Sequence, residues 1–361
     1  MRTNPTIPAQ PDDVTASWLS SVLSSADTPV AVDHVQVTAV GTGQTAATYR
    51  VLVRYREQQP ALPDSFIVKM PYQDQAVRDR VSPSYRAEHA FYTDVAHTVD
   101  VPIPQCFHCE IDRNGADFVL LLEDLAPAAQ GDQLAGCEVA HAQLAARALA
   151  GLHGPRWCDP TWRKFSGITT PDPDASTARR AGDIAISAAG VTVEKLGGAM
   201  TSDARETLRA ANALVADWLM LKPERFCLLH GDYRLDNLLF DPGHTRVTVV
   251  DWQTLAVGLP ARDLAYFVGT SLTPEIRAES ERDLVHDYHR ALLAYGVSEY
   301  DESECWHDYR LGMLQIPMLA SFGTAFSAST GRGDAMMVAM LERGCRAIRE
   351  LGSLELIREL I

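Results

Sequence analysis

The segment His230-Gly231-Asp232-Tyr233-Arg234-Leu235-Asp236-Asn237, followed by Val249-Val250-Asp251-Trp252, holds the residues with the most chemical content in the chain. It offers one carboxylate, an amide five residues later and a second carboxylate at the end of an apolar run. Such a set is the minimum equipment for moving a phosphoryl group off a Mg²⁺-bound nucleotide. One carboxylate orients the attacking hydroxyl, while an amide oxygen and another carboxylate hold the metal. Asp232 is therefore the expected base for an acceptor hydroxyl. Asn237 and Asp251 are the expected Mg²⁺ ligands, since that ion takes hard oxygen donors. Arg234 is placed to meet the transferring phosphoryl, where a cation offsets charge spread over the oxygens. An ordinary surface arginine on a loop explains it equally well.

Upstream residues complete the pattern. Gly41-Thr42-Gly43-Gln44-Thr45-Ala46-Ala47 lies between two strand candidates, and Gly41 and Gly43 would let backbone N–H groups cradle phosphate oxygens. By itself the segment also reads as a plain glycine hairpin, and Ala46 and Ala47 stand where a third glycine would close the turn. Lys69 follows Phe66-Ile67-Val68, and a lysine in a buried strand is costly unless paired. Glu88, on the first long helix after it, is the expected partner, aiming the ammonium at the α- and β-phosphates. The polar residues nearby take structural readings. Asp236 is expected to face solvent or cap a loop, with no assigned role. His230 and His153 are read as hydrogen-bonded anchors, and Asp263 as a carboxylate that satisfies N–H groups at a helix start.

These residues need a scaffold. Periodicity predicts a helix over Asp13–Leu23 and strands over Val35–Val40, Thr48–Tyr55 and Ser65–Met70. A helix over Tyr85–His97 and strands over Gln105–Ile111 and Asp117–Glu123 complete a small α+β lobe of five strands. From Glu138 onward the pattern is helical: Glu138–His153, Ala178–Ser187, Ser202–Leu221, Ala261–Phe267, Glu275–Tyr295, Cys305–Phe326 and Ala335–Leu351. The expected organisation is an N-terminal lobe over residues 1–125 and a larger helical lobe over 126–361, which carries the catalytic loop at 228–252.

Composition narrows the classes. A formal net charge of −15 disfavours nonspecific binding to nucleic acid or anionic membranes. No secretory signal pattern opens the chain, and no apolar run reaches the length of a membrane span. Seven scattered cysteines fit reduced thiols in a cytoplasm. Cys106-Phe107-His108-Cys109 has the look of a zinc knuckle, but no second such pair follows, so a structural role is favoured.

With these motifs in place, the chain resembles the aminoglycoside phosphotransferase-like kinases, relatives of choline, homoserine and methylthioribose kinases and of ecdysteroid-kinase-like proteins. The resemblance runs from Val35 to Phe267 and is most specific in His230–Asn237, Val250-Asp251-Trp252 and Asp263-Leu264-Ala265. It implies a bilobal protein-kinase-like fold that holds ATP, or sometimes GTP, with adenine against the backbone of Leu122–Leu125, including Glu123 and Leu125. It also implies Mg²⁺ and a small-molecule hydroxyl acceptor among the C-terminal helices. The HGD in place of a protein kinase's HRD, and the lack of an activation-loop pattern, favour small molecules over proteins. The same motif also resembles the kinase portion attached to some acyl-CoA dehydrogenases, which acts on hydroxyacyl-CoA. The acceptor is expected against Ala178–Leu221 and Tyr288–Phe326, where Trp218, Tyr288, Tyr295, Trp306, Tyr309 and Phe322 would wall an apolar alcohol or cage an amine. Glu299, Asp301, Glu302 and Glu304 would attract a cationic acceptor, or form a solvated face. A sterol-like alcohol, a nucleotide-binding pseudokinase scaffold and a zinc hydrolase are the competing readings. The last lacks an HExxH or comparable ligand cluster, and nothing in the sequence sets an oligomeric state.

Overall fold

The computed structural model describes residues 6–40, 46–169 and 174–361. Strands β1 (Val32–Ala39), β2 (Ala46–Tyr55), β3 (Ser65–Pro71), β4 (Cys106–Ile111) and β5 (Phe118–Glu123) form one sheet in the order β1-β2-β3-β5-β4, every pair antiparallel. This is the five-stranded sheet expected from the alternating runs. Strand side chains alternate between faces, so β5 contributes to two cores. Val119 and Leu121 meet Val51, Phe66 and Val68 beneath helix α1 (Ala16–Leu23). Phe118, Leu120 and Leu122 face the other way, toward helix α2 (Gln75–Ala90) and the helical part of the chain.

Helix α2 starts ten residues before the expected Tyr85. The Asp74 carboxylate caps it by accepting from the Ala76 and Val77 N–H groups at 2.9 and 3.1 Å. Pro83, which would normally argue against a helix interior, sits within it. The helix does not run on to His97 but passes at Phe91–Val95 into a single π turn.

The remaining helices are α3 (Val139–His153), α4 (Ala175–Leu196), α5 (Ser202–Ala213), α6 (Val215–Trp218), α7 (Ala261–Ser271), α8 (Pro274–Ala294), α9 (Glu302–Gly312), α10 (Gln315–Phe326), α11 (Gly331–Glu350) and α12 (Ser353–Arg358). The segment expected as one helix over Cys305–Phe326 is thus two, broken at Met313-Leu314. Ala178–Ser187 proves to lie toward the N-terminal end of a helix twice as long, and α12 had no clear signal. Among the described residues no helix is long and apolar enough to cross a membrane.

Short strands position the chemistry. Strand β6 (Ala129–Gln130) pairs with β8 (Leu238–Phe240), which pairs with β9 (Val247–Val249). Strand β7 (Cys227–Leu229) pairs with β10 (Ala256–Gly258). Residues 230–237 therefore join β7 to β8, and residues 250–255 join β9 to β10. The Val250 N–H donates to the Asn237 carbonyl at 3.0 Å, which brings the two connections side by side.

Candidate active site

Phe66, Val68 and Met70 point into the buried face of β3, so Lys69 must share the opposite face with Ile67. That face looks toward α2. Lys69 Nζ reaches Glu88 Oε1 at 2.7 Å and Asp251 Oδ1 at 2.9 Å. Lys69 is 12 % exposed and Glu88 fully buried, which makes Glu88 the inner anchor. Its other oxygen accepts from Gln253 Nε2 at 3.0 Å. Burial opposes the lysine charge, but Asp251 and Glu88 outweigh it and hold the ammonium above its ordinary range. For Asp251, burial pushes the pKa up and Lys69 overcomes it, so the carboxylate titrates below its usual range. Glu88 stays above the usual range because burial dominates. Asp251 also has a φ of +70°, a left-handed backbone that is uncommon outside glycine and costs energy.

The loop before β8 is held from several sides. Gly231 has a φ of +82°, and a Cβ there would lie 2.1 Å from the Thr254 carbonyl oxygen, so only glycine makes this turn. Asp263 accepts from the His230 N–H at 2.7 Å and the Gly231 N–H at 3.1 Å, the bracing role expected for it. His230 sits against the Val250 carbonyl at 3.0 Å and close to the Trp252 ring, an anchor as expected. His153 likewise bonds the Tyr288 hydroxyl at 2.7 Å. Trp252 stacks face to face on Phe91, 3.7 Å between centroids, and so ties this connection to the π turn after α2.

At the centre, Asp232 receives three donors. Arg234 Nε lies 3.0 and 2.9 Å from its two oxygens, Tyr266 OH 3.0 Å from Oδ1, and Asn237 Nδ2 3.1 Å from Oδ2. With Nδ2 also on the Asp232 carbonyl at 2.8 Å, the Asn237 amide oxygen faces away from the carboxylate. Arg234 is not a free surface arginine. Its Nη1 bonds Asp236 Oδ2 at 2.9 Å, and although burial lowers its pKa, Asp232, Tyr266 and Asp236 together hold it above its ordinary range.

Asp236 overturns its expected solvent-facing position. It is only 9 % exposed, accepting from Arg234, from Arg332 at 3.2 and 3.3 Å, and from the Gln133 N–H at 3.1 Å. An isolated loop aspartate gives no sign of this. Arg332 arrives from α11, ninety-six residues away. Tyr266, Gln253, Gln133 and Arg332 were all missed for the same reason. Each meets a partner far away in sequence, Gln253 meeting Glu88 although it lies two residues after Asp251, and no local spacing marks the pairing.

The Leu125 carbonyl accepts from the Ala128 N–H at 2.8 Å, while among the described residues the Leu125 N–H has no partner. Glu123 lies at the end of β5, its carboxylate accepting from the Gln105 N–H at 3.2 Å. Gly41 and Gly43 lie outside the described residues. In β4 a register shift between Cys106 and His108 sets Cys106 opposite Leu122 and Cys109 opposite Leu120. Both thiols consequently pack on the α2 side, whereas Phe107 joins the opposite core and His108 meets Trp18. The imidazole and the two thiols do not converge as a zinc knuckle would require.

A five-stranded antiparallel sheet beside a larger helical part, with a lysine–glutamate pair and an HGD loop between them, is a kinase-like arrangement. The chain belongs to the phosphotransferase enzyme family (APH), whose match spans residues 36–302, and it is a phosphotransferase. The expected family resemblance is thereby borne out. A solved structure described as a putative aminoglycoside phosphotransferase from Ralstonia eutropha shares the fold. Its TM-score is 0.53 at 18 % identity, covering 93 % of this chain and 97 % of that one. Mouse acyl-CoA dehydrogenase family member 10 is 45 % identical over 109 residues, 26 % of this chain and 10 % of that protein. Human acyl-CoA dehydrogenase family member 11 is 51 % identical over 41 residues, 11 % of this chain and 5 % of that protein. The chain thus spans only a small part of the length of these two relatives.

Proposed function

We propose that this protein transfers the γ-phosphoryl of ATP to a hydroxyl of a small molecule in a Mg²⁺-dependent reaction. The observation that carries the proposal is the Asp232 carboxylate, oriented by Arg234, Tyr266 and Asn237 on a loop adjoining the Lys69–Glu88–Asp251 cluster. Residues 1–125 form the nucleotide-binding lobe and residues 126–361 the lobe that takes the acceptor. The adenine edge lies against Glu123 and Leu125, and the Leu125 N–H, without a partner among the described residues, is a ready donor. Phosphate binding is also assigned to Gly41 and Gly43, which lie outside the described residues.

The donor set fits Mg²⁺. Asn237 directs its NH₂ at Asp232, leaving its oxygen to coordinate, and Asp251 commits only one oxygen to Lys69. When bound, Mg²⁺ neutralises charge on the β- and γ-phosphates. Lys69 binds the α- and β-phosphates. The acceptor oxygen attacks the γ-phosphorus, its proton passes to Asp232, and the bridging P–O bond breaks to release ADP. Arg234 offsets charge on the transferring group once it exchanges part of its contact with Asp232 and Asp236 for phosphoryl oxygens.

Tyr266 is a positioning residue in this scheme, acting through Asp232. Burial and the nearby Asp232 charge hold its phenol well above its usual pKa, so it remains a donor. Tyr266→Phe is expected to lower kcat by roughly 10–100-fold, the range for one hydrogen bond to a charged group, with the acceptor KM nearly unchanged. A rise in KM at unchanged kcat would contradict positioning.

A second reading concerns the acceptor. The short matches to acyl-CoA dehydrogenase family members 10 and 11 motivate a hydroxyacyl-CoA as a candidate acceptor beside an aminoglycoside or amino alcohol. Phosphorus NMR of Mg²⁺-ATP incubated with each acceptor class distinguishes them. A new phosphomonoester on one class identifies it. A phosphomonoester on none, with ATP consumed only to phosphate, would count against transfer to these alcohols.

A further inference from the structure

Away from the cleft, the turn between α6 and β7 and the first turn of α7 enclose a cavity of about 40 Å³. A single water needs roughly 10–15 Å³, so the space holds about three waters or one small anion. Its lining includes Trp218, Lys222, Arg225, Gly258, Arg262 and Leu311, and among the described residues no aspartate or glutamate. Three cations line one small cavity in a chain of net charge −15. Arg225 is balanced from outside by Asp308 at 2.7 Å and Glu304 at 3.0 Å. Lys222 and Arg262 have no ion-pair partner among the described residues.

Arg262 is the unusual member. It is 7 % exposed, and its guanidinium lies 4.4 Å from the centroid of the Trp218 ring. Nε and Nη2 share one acceptor, Gln315 Oε1, at 2.9 and 2.6 Å. Nη1 has no hydrogen-bond partner among the described residues and sits against Gly258, where a Cβ would come within 2.8 Å of it. Buried charges are normally paired, because removing them from water is expensive. The adjacent Asp263 already accepts from His230 and Gly231. Burial pulls the Arg262 pKa down to about 10, with Asp263 acting against it. A planar guanidinium with an open edge, beside a second unpaired cation, is suited to the oxygens of a phosphate or carboxylate.

We propose that this cavity is a binding site for a small oxyanion, held by Arg262 Nη1 and Lys222 and separate from the catalytic cleft. Gln315 also lies 3.4 Å from the Gly231 carbonyl through its Nε2, so one side chain joins the cavity to the turn before Asp232.

The test is calorimetric titration of the full chain with inorganic phosphate, and separately with acetate, at constant ionic strength. Saturable binding of one anion is expected, weakened by about tenfold or more in Lys222→Met and Arg262→Met and retained in Lys69→Met, which removes the cleft's nucleotide-binding lysine. Should Arg262→Met fail to fold, Lys222→Met, at a partly exposed side chain, carries the test. Phosphate binding more tightly than acetate, or the reverse, identifies the oxyanion class, and either supports the site. The proposal is overturned if neither anion binds, if Lys222→Met binds like the parent, or if Lys69→Met alone abolishes binding.

Discussion

Asp232→Ala is expected to lower kcat by about 10²–10⁴-fold, the range for a positioned general base, while Mg²⁺-ATP still binds. At roughly 1.4 kcal/mol per tenfold, the loss corresponds to about 3–6 kcal/mol of transition-state stabilisation. The expectation rests on the geometry of one carboxylate. Its two oxygens take Arg234, Tyr266 and Asn237, an investment of three side chains in one orientation. None of those contacts involves Lys69 or Glu88, so nucleotide affinity is expected to survive. Asp232→Asn keeps the shape without the basicity and should fall nearly as far. Steady-state kinetics beside calorimetric ATP titration check both halves. Near-normal turnover in either variant would remove Asp232 from the mechanism.

Removal of Asp251 should act on binding instead. Loss of a group that merely supports a metal ligand costs about 10–100-fold in metal affinity or activity, so loss of a ligand is expected to cost about 100-fold or more in Mg²⁺-dependent ATP affinity. Asp251→Asn is the better variant than alanine, because asparagine tolerates the left-handed φ of +70° at this position. Glu88 remains to pair with Lys69 at 2.7 Å, so the buried ammonium is not left without a carboxylate and the fold should hold. The measurement is ATP affinity with Mg²⁺ and with chelator. A parent that gains affinity from Mg²⁺ and a variant that does not is the expected pair. An unchanged Mg²⁺ dependence would contradict Asp251 as a ligand.

The extent to which the sequence foretold this arrangement follows from how local each signal is. Lys69 was legible because a charge in an apolar strand must be paired, and Glu88 was the acid on the next helix. Asp263 was legible because a carboxylate at a helix start has N–H groups to satisfy; the N–H groups it takes prove to be those of His230 and Gly231. Asp236 was not. Its burial depends on Arg332, which approaches from α11 with no spacing rule to announce it. Tyr266 reads as one more apolar residue of a buried helix until Asp232 is seen beside it. The five strands of the sheet were readable from the sequence, whereas the early start of α2 was hidden by Pro83, and the break at Met313-Leu314 lies in the mostly apolar run of residues 311–319. In β4, a one-residue shift in pairing decided which faces Cys106, His108 and Cys109 occupy. Pattern alone cannot place such a bulge.

The most direct test of the central claim is ADP release from Mg²⁺-ATP across a mixed panel of hydroxyl acceptors, with Asp232→Asn as the blank. The panel spans aminoglycosides, amino alcohols, sugars, sterol-like alcohols and hydroxyacyl-CoAs. Acceptor-dependent ADP release that requires Mg²⁺ and disappears in the blank is the predicted result. No binding of ATP or GTP, with or without Mg²⁺, or ADP release that persists undiminished in the blank, would contradict it.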